Sequence, residues 1–97
     1  MKLGVVLGSG APEDAALAGR LVRAAAVAGH DARLFVMGAG VGAIGELARL
    51  PDEGIDVVVC ERSLEQAGIA RPGSVLGGSQ LDHAALIRDC DRVVALT

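Results

Sequence analysis

The stretch KLGVVLGSGAPEDAALAGRLVRAAAVAG, residues 2–29, decides the fold class. Lys2 to Leu7 is a short apolar run, as expected of a strand buried on both faces. Gly8 to Ala11 turns the chain. Pro12 then stands at a first helical position, where its missing N–H costs nothing, and Glu13 and Asp14 favour the positive end of the helix dipole. Leu17, Leu21, Ala24, Ala25 and Ala28 repeat at helical spacing, and Gly29 ends the helix. A strand feeding a helix in this way is the repeating unit of a parallel sheet.

Further along the chain the unit recurs. Ala32 to Met37 reads as a second strand, followed by the glycine-rich Gly38 to Gly42 and a short helix over Ala43 to Leu50 that Pro51 stops. Ile55 to Val59 is the third strand, and Glu61 to Ala67 has helical composition with Gly68 as its cap. After the turn Arg71-Pro72-Gly73, Val75-Leu76 forms a very short fourth strand. Ser79-x-x-Asp82 has the form of a capping box opening a helix over Gln80 to Cys90, and Arg92 to Leu96 closes the chain as a strand. The alternation predicts one three-layer α/β domain over residues 1–97, with a mainly parallel sheet of four to five strands in flavodoxin-like order.

Composition narrows the function. The chain has 97 residues, enough for one core. It carries a net charge of −3, and its eight arginines are scattered, so the basic footprint of a nucleic-acid or anionic-membrane partner is missing. Phe35 is the only aromatic residue, which disfavours stacking of bases or flavins. The run Leu3 to Leu7 is too short for a secretory segment, and no stretch reaches membrane-spanning length. Cys60 and Cys90 form no C-x-x-C pair and read as free thiols of a reducing compartment, giving a cytoplasmic expectation.

The best candidate for chemistry is Cys60. It follows the third strand and precedes a helix, where unpaired N–H groups and the helix dipole favour thiolate. Arg62 would support that anion and Glu61 would oppose it. In a flavodoxin-like order, the loop of Gly8, Ser9, Gly10 and Pro12 would face Cys60 across the point where strand order reverses. The bland alternative is a small apolar residue ending a buried strand, since cysteine is among the most buried residue types.

Other groups offer less. Cys90 shares a helical stripe with Leu86 and Ile87 at the far edge of the sheet, so core packing is its expected role, with no disulfide to Cys60. His83 and Asp82 share the sheet edge of Cys60 and are candidate neighbours of it, whereas His30 lies at the other edge. That scatter predicts no metal site. Gly40-x-Gly42-x-x-Gly45 has the spelling of a dinucleotide fingerprint but follows the second strand. It and Gly8-Ser9-Gly10 are better explained by tight turns, and no cofactor is expected.

Taken together, several segments resemble one family. Gly8 to Pro12, Ala25-x-x-Ala28-Gly29-His30-Asp31-Ala32-x-Leu34-Phe35, Val59-Cys60-x-x-Ser63-x-x-x-Ala67-Gly68-Ile69 and Asp91-Arg92-Val93-Val94 are, in order and spacing, similar to the DsrE-like sulfur-relay proteins, including the TusD type. The resemblance implies that Cys60 carries sulfane sulfur as a persulfide between donor and acceptor proteins. It also implies assembly into trimers or hexamers of like or related subunits. Leu64 and Glu61 depart from the family pattern. Many members lack a working cysteine, so a non-catalytic assembly subunit is the alternative, with a small-ligand or nucleotide-binding module third.

Overall fold

The computed structural model describes residues 1–97. β1 (Lys2–Leu7) leads into α1 (Pro12–Val27), which places Glu13 and Asp14 in its first turn. β2 (Asp31–Val36) is followed by a 3-10 segment over Gly38–Ala43, the single turn α2 (Ile44–Leu47), and another 3-10 segment over Leu50–Glu53. The helix expected over Ala43–Leu50 is therefore broken up. Glycine raises the entropic cost of a regular helix here, yet Gly40 is required, because a Cβ at that position would stand 2.6 Å from the carbonyl oxygen of Leu7.

β3 (Asp56–Cys60), α3 (Glu61–Ala67), β4 (Leu76–Gly78), α4 (Gln80–Asp89) and β5 (Arg92–Leu96) complete the chain. Gly68 caps α3 in the left-handed conformation. The Ser79 box forms as the spacing predicts: Leu81 N–H donates to Ser79 Oγ, and Ser79 N–H donates to the Asp82 carboxylate at 2.8 Å.

All five strands are parallel, but their order is β4-β3-β2-β1-β5. This corrects the flavodoxin-like order, which would seat β1 between β2 and β3. The difference lies at the β2–β3 crossover, which continues away from β1 instead of passing back over it; right-handed crossovers then set which face each helix covers. The chain steps from β1 through β2 and β3 to β4 in one direction, so α1, α2 and α3 cover one face. α4 then carries it back past three strands on the opposite face and delivers β5 beside β1. The direction of travel thus reverses at β4, and α3 and α4 leave the neighbouring ends of β3 and β4 toward opposite faces.

Alternation along the strands divides the core between those faces. Val5, Leu7, Leu34, Val36, Val57 and Val59 pack beneath Ala15, Ala18, Val22 and Ala25 of α1 and Leu64 of α3. The helix thus faces the sheet through smaller residues than the expected leucine stripe, and Leu17 is left 38% exposed. Alanines let the helix lie close to the strands. On the other face, Val6, Phe35 and Cys60 pack with Leu86 of α4, flanked by Met37, Val58 and Cys90. Gly4 admits α4, since a Cβ there would meet Cys90 Sγ at 2.9 Å. Burying a side chain such as Leu86 contributes about 1.5–3 kcal/mol. No helix is long and apolar enough to cross a membrane.

Candidate functional site

Cys60 ends β3 and is the N-cap residue of α3, with extended backbone at φ −66° and ψ 113°. Its strand partner is Gly78, at the end of β4 and one residue before the cap of α4. The beginnings of α3 and α4 therefore meet at one corner of the sheet. Between them lies an open cleft of about 710 Å³ lined by Cys60, Glu61, Arg62, Glu65 and the segment from Gly78 to Leu81.

The cysteine borders this cleft but is only 4% exposed. Its side chain belongs to the small core with Val6, Phe35 and Leu86, because the strand's alternation turns it beneath α4.

Burial pushes the Cys60 thiol up, but hydrogen-bond donors outweigh it and hold the thiol below the ordinary cysteine range. These donors are the Ser63 hydroxyl, the Ser63 backbone N–H, the Gln80 side chain and the Arg62 backbone N–H. The last two backbone positions follow from helix geometry. With Cys60 as N-cap, Arg62 and Ser63 occupy the second and third helical positions, whose N–H groups lack helical partners. The neutral thiol forms no cap hydrogen bond with them, so their influence falls on the anion.

Ser63 also ties the site to the neighbouring loop. Gly38 N–H donates to Ser63 Oγ at 2.9 Å, which occupies an oxygen lone pair and leaves the hydroxyl proton free for the sulfur. Gln80 makes a comparable bridge from α4. Its Nε2 lies 3.8 Å from Met37 Sδ, and its Oε1 lies 2.9 Å from His83 Nδ1.

The residues singled out in the sequence separate into three groups. Cys60 stands at the start of α3, as expected. Arg62 lines its cleft and acts on the sulfur through its backbone N–H, whereas the expected role was for its guanidinium. The His83 ring stacks on Phe35 with centroids 5.3 Å apart, and reaches Cys60 only by way of Gln80. Asp82 is engaged by the Ser79 cap.

Gly8, Ser9, Gly10 and Pro12 do not face Cys60, a correction that follows from β2 standing between β1 and β3. Gly8 and Ser9 N–H groups donate to Leu96 O. Ser9, Gly10 and Pro12 line a separate cleft of about 200 Å³ with Ala39, Gly40 and Glu46. Cys90 caps the other end of α4, and burial pushes its thiol above the ordinary range. Both cysteines are free, and no three His, Cys, Asp or Glu side chains converge as a metal-ligand group.

Sequence reading gave no role to Ser63, Gln80 or Met37. The spacing Cys60-x-x-Ser63 holds a signal, because a helix starting at Cys60 brings its third residue back to the cap. Gln80 lies on a different helix, and nothing in the local pattern pairs it with Cys60.

Fold and cleft define a class: a parallel α/β protein with a donor-supported thiol at the junction of a strand and a helix. Its sequence matches the model of the DsrE/DsrF-like family over residues 1–96, and the chain belongs to that family. Membership is consistent with a sulfur-relay role. No curated protein matches it significantly. The fold is similar to that of MTH1491 from Methanobacterium thermoautotrophicum, a protein of unknown function, with a TM-score of 0.80. Sequence identity is 13%, and the alignment covers 98% of each chain.

Proposed function

We propose that this protein is an intracellular sulfur carrier that holds sulfane sulfur on Cys60 and passes it to a partner protein. The observation that carries the proposal is the place of Cys60 at the β3–α3 junction, bordering the open cleft between the starts of α3 and α4, in a chain of this family. Transfer begins when the Cys60 thiolate attacks the outer sulfur of a donor persulfide, R–S–SH. A new S–S bond forms as the donor's S–S bond breaks. R–S⁻ departs, and the sulfane proton stays on the sulfur now carried as Cys60–S–SH. Delivery repeats the step, with an acceptor thiolate attacking the outer sulfur and the Cys60 thiolate leaving.

A sulfane-sulfur donor should add one sulfur, about 32 mass units, to the Cys60 peptide. Cys60→Ser should abolish the adduct without unfolding the chain. A persulfide found only on Cys90 would defeat the assignment. The 4% exposure of Cys60 favours a second reading, an inert assembly subunit of the same fold, which predicts no adduct on either cysteine.

Either reading includes assembly with copies of this chain or with related subunits. Leu76, Leu81, Ile87 and Val93 are exposed apolar residues, and partners would cover such surface. Light scattering at micromolar concentration should give a mass above 9.7 kDa; a clean monomer would count against self-assembly.

A further inference from the structure

α4 brings the side-chain amide of Gln80 to the cleft that Cys60 borders, and that amide is held by partners of its own. Gln80, the first residue of α4, lines the cleft beside Cys60. Its amide Nε2 donates to the thioether Sδ of Met37 at 3.8 Å, and Met37 packs against the same small core as Cys60. Its Oε1 faces His83 Nδ1 at 2.9 Å. The His83 ring is steadied against Phe35, tilted from it by only 9°.

An amide has one end that donates and one that accepts. With Oε1 against His83, Nδ1 must carry hydrogen to make that contact favourable. The opposite orientation would turn Oε1 toward Met37 and Cys60, where a thiolate would meet a lone pair instead of a donor. It would also place Nε2 against His83, requiring Nδ1 to accept. A hydrogen on Nδ1 and a donor end of the amide on the Met37 side therefore go together, and each favours the other.

We infer that Gln80 is a positioning residue for the Cys60 thiolate and that His83, steadied on Phe35, fixes the direction of its amide. The inference rests on the reading of Cys60 as the working thiol. Glu61, Arg62 and Glu65 also line the cleft, while Asp82 remains occupied by the N–H of Ser79.

The test is the pH profile of Cys60 alkylation by iodoacetamide, resolved by peptide mass spectrometry. The midpoint is a better readout than a single rate, because a thiolate of higher pKa is also more nucleophilic and partly hides the change. Gln80→Met keeps the side chain's length but removes the donor, and should raise the midpoint by about one pH unit, equivalent to a tenfold loss of thiolate below it. Gln80→Glu, which adds an anion at the same exposed helix start, should raise it further. His83→Ala should give a smaller rise, and His83→Asn, whose amide restores an N–H near Nδ1, should return the midpoint toward the wild-type value.

An unchanged midpoint in folded Gln80→Met, or His83→Asn behaving like His83→Ala, would overturn the inference. Alkylation uses no sulfane sulfur. If wild-type Cys60 accepts no sulfur while the midpoints move as expected, the carrier reading fails and the positioning role of Gln80 stands.

Discussion

Cys60 and Cys90 lie in or against one small cluster around Leu86, at opposite ends of the same helix-covered sheet face. Both lose hydration, yet their thiols shift in opposite directions. At Cys90, burial pushes the thiol up; Arg33 and Lys2 partly offset this, while Asp31 and Asp89 add to it. At Cys60, burial has the same sign, but polar hydrogens from Ser63, Gln80 and Arg62 outweigh it. The contrast follows from the direction of the chain. The carboxyl edge of a parallel sheet feeds helix beginnings, which offer unpaired N–H groups, whereas the amino edge receives helix ends, which offer carbonyl oxygens.

The strongest way to break this contrast is to remove the side chain both thiols share. Leu86→Ala should destabilise the fold by about 2–5 kcal/mol, because a buried leucine is truncated and a cavity remains beneath α4. Urea unfolding measures the loss. In the surviving folded population, a loosened α4 should bring Cys90 alkylation closer to the rate at Cys60. A cost near zero would mean that α4 is not held to the sheet through Leu86.

A sharper comparison comes from the pH dependence of stability. Since folded Cys60 ionises below the ordinary thiol range, the unfolded chain binds more protons between the folded and unfolded values. Cys60 should therefore contribute stability that increases as pH rises through that window and is lost as pH falls through the folded value. Cys90 has the opposite sign: its raised folded value gives a contribution that declines as pH rises. Unfolding free energies of wild type and Cys60→Ser should diverge across the Cys60 window. Ser63→Ala should narrow that divergence and move the Cys60 alkylation midpoint upward.

The smallest expected effect is at Arg62. Its backbone N–H contributes to the thiolate, and substitution of the side chain leaves that group in place. Arg62→Ala should move the Cys60 midpoint far less than Ser63→Ala. Equal shifts would return the guanidinium to the role expected from the sequence.

Residues adjacent in sequence carried most of what was legible beforehand. Pro12 and the acids after it announced α1, Ser79 with Asp82 announced α4, and the position of Cys60 between an apolar run and a helical segment identified the candidate thiol. Such signals are local, because caps, turns and strand ends depend on hydrogen bonds within a few residues. The helical stripe of α1 was less legible: spacing alone favoured Leu17, but the close fit of helix to sheet selected Ala15, Ala18 and Val22.

The sequence by itself determined the alternating strands and helices, the membership of Cys60 in a strand-to-helix junction, the scarcity of aromatic residues and the scatter of basic ones. Tertiary structure decided which junctions became neighbours. Strand order follows from the direction of each crossover and the burial of whole faces, neither of which a local pattern encodes. That order removed Gly8 to Pro12 from the Cys60 cleft and brought α4 over it. It thereby placed Gln80 near a sulfur twenty positions earlier in the chain, with His83 one helical turn behind.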